Sequence, residues 1–163
     1  MFKKKFLPAL VTGFSLAVIS IIPLLQIGTC CLFAPIAGIV AITLFHMQIK
    51  NLAEFQLKRS DGISIGIMVG IIAGFFESIF QSLLIFVSKT NPVNDAIIFI
   101  QQNFNNLPIP DILNEISKEI DEKRFSLLLS LSIFFNASII YSIFASIGGV
   151  IGVSGIKRRN QII

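Results

Sequence analysis

Apolar residues run almost unbroken from Phe6 to Gly28 and resume at Cys30, continuing to Ile49 with hardly a polar spacer. A third run fills Ile63 to Val87 and a fourth Phe125 to Ile156. A helix needs roughly 20 apolar residues to cross a hydrocarbon layer about 30 Å thick at about 1.5 Å per residue. The pattern therefore predicts four spans, near 7–27, 31–49, 63–87 and 133–156. Gln26 to Thr29 becomes the tip of a tight helical hairpin, and Pro35 falls in the first turns of the returning helix, where a missing N–H costs least. At roughly 48 Å the fourth run is too long for one crossing. Either it tilts, or its first turns continue the preceding helix outside the bilayer.

Between Ser88 and Arg124 the pattern changes to spaced apolar residues among Asn, Gln, Asp, Glu and Lys. Val93, Ile97, Ile100, Phe104 and Leu107 recur at helical spacing after Asn91-Pro92, an N-cap followed by a first-turn proline. Ile109, Ile112, Leu113, Ile116 and Ile120 form a second stripe beginning at Pro110-Asp111. Two amphipathic helices joined at Leu107-Pro108 are expected. The predicted fold is thus an all-α integral membrane protein of 163 residues: a single membrane domain built as a four-transmembrane-helix bundle, with an extramembrane helical insert over 88–124. The insert's apolar stripes need a cover, either the outer end of the bundle, the membrane interface or a docked partner. Its acidic face, with Asp111, Glu115, Glu119 and Glu122, does not suit anionic lipid.

Composition agrees: 54% of residues are apolar, 13% are charged and the mean hydropathy is +0.84, well above the balance of a soluble domain. A net charge of +4 raises the question of nucleic acid, but the basic residues cluster at the ends of apolar runs, so no nucleic-acid partner is expected. Three lie at the N-terminus (Lys3, Lys4, Lys5), three in the second connection (Lys50, Lys58, Arg59) and three in the tail (Lys157, Arg158, Arg159). The insert has four basic residues and six acids, and acids weigh little in orientation. Nine against four predicts both termini inside. With no Trp, one Tyr and 16 Phe, an aromatic belt must come from phenylalanine. A signal peptide competes for the first run, and Ile27-Gly28-Thr29-Cys30 resembles a lipoprotein cleavage box. The apolar core is too long for one, however, and Thr before Cys is a poor match.

Gly62, Gly66, Gly70, Gly74, Ser78 and Ser82 recur every fourth residue of the third span. Such a stripe lets two helix backbones approach closely. The last span answers with Ser138, Ser142, Ser146, Gly148, Gly149 and Gly152, and the first with Ala9, Gly13 and Ala17. Packing within one bundle is the simpler reading, and a seam between copies the alternative. Glu77 lies near the middle of the third span, where an ionised carboxylate is expensive. No Lys or Arg lies within a span to pair with it, so it is expected uncharged and hydrogen-bonded. Gln81, one turn on, and Asn136 and Tyr141 of the last span are the polar candidates at similar depth. Glu77 reads either as a structural pin for helix register or as part of a proton or cation path.

Cys30-Cys31 sit at the hairpin tip with no other cysteine to form a metal site; packing, free thiols, a bond to another chain and lipidation remain open. His46 is expected at the opposite membrane face, near Lys50. No nucleophile elbow, phosphate loop or carboxylate pair argues for catalysis, and no cofactor or metal is expected. The first and third spans share small residues, and the second and fourth share glycine-rich stretches, as in a parallel duplication.

This layout of basic start, glycine-spaced third span, acidic helical insert, glycine-rich last span and Lys157-Arg158-Arg159 tail resembles small bacterial four-span membrane proteins of unknown function. The resemblance implies no activity. The sequence favours a structural or accessory membrane protein in the bacterial inner membrane, surrounded by lipid and able to meet a second copy or another membrane protein. A small channel or carrier using Glu77 is the alternative.

Overall fold

The structure, a computed structural model, describes residues 2–22, 25, 28–49, 57–103, 108 and 110–160. Among these it is helical throughout, without a strand. We number the helices α1 (Phe2–Ser20), α2 (a wide π turn at Thr29–Phe33 running into Ala34–Ile49), α3 (Arg59–Ser88), α4 (Pro92–Asn103), α5 (Asp111–Lys123) and α6 (Leu127–Asn160). Three helical stretches, Thr29–Ile49, Arg59–Ser88 and Leu127–Arg158, are long and apolar enough to cross a membrane. Pro23, the hairpin-tip residues Gln26 and Ile27, positions 50–56 and the joint from Phe104 to Leu107 with Ile109 lie outside the described residues.

The chain forms two compact units, Met1–Glu77 with Phe134–Ile163, and Ser78–Ile133. The first is built inside out compared with a water-soluble bundle. Small residues such as Ala9, Ala17, Ala41, Ala73 and Ala145 are buried, whereas Ile63, Ile67, Ile71 and Phe75 of α3 and Phe135, Ile139, Ile143, Ile147 and Ile151 of α6 point outward every fourth residue. Lipid tails are as apolar as isoleucine, so burial of bulk is not what joins such helices; close backbone approach is.

That approach follows the glycine stripe. A Cβ on Gly62 would lie 2.7 Å from the Gly149 carbonyl, one on Gly66 2.7 Å from the Ala145 carbonyl carbon, and one on Gly74 2.7 Å from the Ser138 nitrogen; Gly70 faces Ser142 in the same way. Each step of four along α3 is thus a step of about four back along α6, so the two are antiparallel. Ser142 Oγ donates to the Ile67 carbonyl at 3.2 Å and Ser146 Oγ to the Ile63 carbonyl at 3.3 Å, bonds that only helices this close can form. Gly148 packs on Pro35, and Gly38 on Ala145 and Gly149, which seats α2 on α6. Pro35 has no N–H, and its ring would clash with the carbonyl four residues back. The π turn, with the Ala34 N–H donating five residues back to Thr29, widens the backbone just ahead of it.

α1 runs parallel to α3, with Gly13 against Val69 and Ile72 and Phe14 edge-on to Phe76 at 5.0 Å. Its start is tied by Lys5, whose Nζ lies 2.8 Å from Asp61 Oδ1. Asp61 Oδ2 accepts from the Lys58 N–H at 2.8 Å, the back-reaching half of a capping box that opens α3.

In the second unit, Ile85, Val93, Ile97, Ile116 and Ile120 form a core with Leu113 and Leu129 against it. The apolar stripes of α4 and α5 therefore cover one another and the ends of the longer helices. Asn91 caps α4 as its sequence predicts, accepting from the Asn94 N–H at 3.1 Å, while its amide donates to the Ser117 carbonyl and to Asp121. Arg124 adopts the left-handed conformation (φ 58°) and stops α5, and Ser126 caps a new helix, accepting from the Leu129 N–H. The fourth apolar run accordingly does not continue the preceding helix. It is one unbroken helix of 34 residues.

Candidate functional site

Glu77 stands on the face of α3 that looks into the first unit, three residues beyond Gly74, and only 7% of its surface is exposed. Glycine spacing puts it there: the stripe that brings α6 close also carries the carboxyl inward. Tyr141 comes from α6 and is 4% exposed; Ser20, the last residue of α1, is fully buried. Both hydroxyls are hydrogen-bonding neighbours of the Glu77 carboxyl. Cys30 lies in the π turn that opens α2 and is half-buried. Three helices thus each contribute one polar side chain to the cluster.

The hydrogen bonds around this cluster are incomplete. Ser20 Oγ donates to the Ala17 carbonyl at 2.8 Å. Glu77 Oε2 is buried with no partner among the described residues, as is Ser138 Oγ, which lies one turn before Tyr141 on α6 and against Gly74. Buried oxygens without partners are rare and usually mark a water, an ion or a strained group. No group of three His, Cys, Asp or Glu that could hold a metal occurs among the described residues. The chemistry on offer is therefore that of oxygen atoms around one carboxyl.

Of the sequence candidates, the structure brings Glu77 and Tyr141 together. Gln81 belongs to the second unit and is half-buried. Asn136 is exposed on α6, turned away from the interior that its depth alone allowed. Ser78 is buried, and Ser82 donates to its carbonyl at 2.8 Å and lies 2.7 Å from Ser130 Oγ, so these stripe members join α3 to α6 in the second unit. Ser20 was not anticipated. The signal for it was the parallel course of α1 and α3, which sets Ser20 beside Glu77 once Lys5 is set beside Asp61. His46 is half-buried in α2 with Nδ1 unpartnered among the described residues, far along α2 from Cys30.

Compared with protein families, curated proteins and solved structures, the chain matches none.

Proposed function

We propose that the chain is a structural or accessory protein of a bacterial cytoplasmic (inner) membrane, with four spans, both termini inside and the α4–α5 insert outside. One observation carries this reading: the polar groups of the apolar helices are used to join helix to helix. Ser142 and Ser146 bond α3 carbonyls, Ser82 meets Ser130, and Glu77 gathers Tyr141 and Ser20. The glycine stripe is occupied by α6 of the same chain, so a second copy or another membrane protein would meet the outer isoleucine face instead. The fourth span is supported by α1, which accompanies α3 from the Lys5–Asp61 pair to the level of Glu77. Inside orientation is supported by the nine basic residues at the three connecting ends.

A second reading, a small carrier for protons or cations, is favoured by the unpartnered Glu77 Oε2. Purified protein in sealed vesicles separates the two. The structural reading expects proton and alkali-cation fluxes no faster than in empty vesicles, whereas a flux abolished by Glu77→Gln would overturn it. Reporter fusions after Lys58 and after Asn103 should lie on opposite sides of the membrane; the same side for both would defeat the proposed orientation.

A further inference from the structure

We propose that the groove between the end of α3 and the start of α6 binds one anionic phospholipid, with an acyl chain lying along the groove and the phosphate held by Lys89 and Arg124. The inference rests on the membrane setting, goes beyond the structural role above, and depends neither on the number of spans nor on their orientation.

The groove lies wholly within the second unit and has a volume of about 560 Å³. Its floor is made by Ser82 and Ser130, whose hydroxyls lie 2.7 Å apart, where longer side chains would have filled the space. Each hydroxyl also meets a carbonyl of its own helix, Ser82 that of Ser78 and Ser130 that of Ser126, so the floor is satisfied within the protein. Ile79, Leu83 and Phe86 of α3 and Phe125 ahead of α6 supply exposed apolar walls. A satisfied floor between apolar walls takes a hydrocarbon chain.

One end of this groove is cationic. Antiparallel packing about the Ser82–Ser130 contact brings Phe86 and Phe125 to the same end, and Lys89 and Arg124 follow directly beyond them. Both residues adopt the left-handed conformation, with φ of 55° and 58°, and an Arg124 Nη donates to the Lys89 carbonyl at 3.1 Å. The bond ties the two cationic residues together and leaves the other guanidinium N–H groups for a phosphate. Neither charge is compensated: the ion pairs among the described residues are Lys5–Asp61 and Lys123–Glu119, and the Asp121 carboxylate is taken by the Asn91 amide.

Cations at the end of an apolar groove match a ligand that is anionic at one end and hydrocarbon at the other, as an anionic phospholipid is. A free phosphate would leave the groove unfilled, and a zwitterionic lipid would add a cation beside two others. A second copy meeting this face across a two-fold axis would set like charges against each other. Charge also selects this groove over its neighbour between α5 and α6, about 310 Å³, whose edge carries Glu115 and Glu119 and would repel the same headgroup.

The chain has no tryptophan, so one introduced by substitution is a unique reporter. Leu83→Trp places it in the groove, and Ile139→Trp places it on the outer face of α6, at a site 60% exposed and outside the groove. Each full-length variant is reconstituted in vesicles of phosphatidylcholine and phosphatidylglycerol, with brominated chains on one lipid or the other. Quenching then gives the relative affinity of the two lipids at each position. A preference for phosphatidylglycerol of at least about fivefold, the contribution of one cation, is expected at position 83 and none at 139. Adding Lys89→Asn and Arg124→Asn, which suit left-handed backbone, should abolish the preference while circular dichroism and quenching at 139 stay unchanged. Equal affinities at position 83, the same preference at both positions, or a preference that survives both asparagines would overturn the proposal. So would displacement of the lipid by soluble glycerol phosphate, which marks a free-phosphate site, or shielding of position 83 from both lipids, which marks a second copy.

Discussion

Replacing Gly66 by alanine puts one methyl group into the closely packed α3–α6 seam. The added Cβ would lie 2.7 Å from the Ala145 carbonyl carbon, and the Ser146 backbone is nearer still; ordinary contact begins at 3.4 Å, so the helices must part by at least about 0.7 Å. All of these atoms are backbone, so no rotamer change relieves them. Parting by that amount would take the Ser146–Ile63 and Ser142–Ile67 bonds, at 3.3 and 3.2 Å, to about 4 Å, beyond hydrogen-bonding range. Two interhelical bonds of this kind contribute roughly 1 kcal/mol together. Overpacking adds about 1–3 kcal/mol, and the better helix propensity of alanine returns up to about 1 kcal/mol. The expected net loss is about 1–3 kcal/mol, read from the midpoint of unfolding in mixed detergent. Gly155→Ala is the control on the same pair of helices, because a Cβ there meets nothing within 4 Å; it should be neutral or slightly stabilising. Equal midpoints for the two variants would refute the close-approach account of the stripe.

Lys5→Met should cost about 2–4 kcal/mol in the same assay, because it strands the largely buried Asp61 carboxylate, whereas exposed Lys4→Met should change stability by less than about 0.5 kcal/mol. In the second unit, Ile116→Lys, at a site 7% exposed, should destabilise by about 3 kcal/mol or more, and Ile112→Lys, at a site 50% exposed, by less than about 1 kcal/mol; thermal unfolding of the two variants side by side checks the order. The Ser126 hydroxyl, donating to Glu119 at 2.7 Å with help from Lys123, holds the Glu119 carboxyl below the ordinary glutamate range. Its folded-state value is depressed, so the associated stability is present above the unfolded-state value and lost as pH falls through the folded one. A stability–pH profile should show a weaker acid limb in Ser126→Ala, with Lys123 left to hold the rest; the substitution also removes the α6 cap at about 1 kcal/mol.

What the sequence determined by itself was whatever depends on neighbours along the chain. Long apolar runs predicted helices able to cross a membrane, and three of the described helices meet that test. Asn91-Pro92 announced the start of α4, and the four-residue repeat from Gly62 to Gly74 announced a close backbone approach. These follow from helix geometry and local hydrogen bonding, which need no partner. The tertiary structure alone decided which way each polar residue faced. In a lipid-facing helix the outer and inner sides are both apolar, so hydropathy has no preferred face and residue size is the main guide to rotation. Glu77 could be placed because glycine marks its face; Asn136 could not, and it is exposed. Ser20 joined the cluster only because α1 lies parallel to α3, a register held by the Lys5–Asp61 pair 56 residues apart. The stop at Arg124 was equally hidden, since a left-handed arginine is imposed by the chain's reversal between α5 and α6 rather than by any preference of its own.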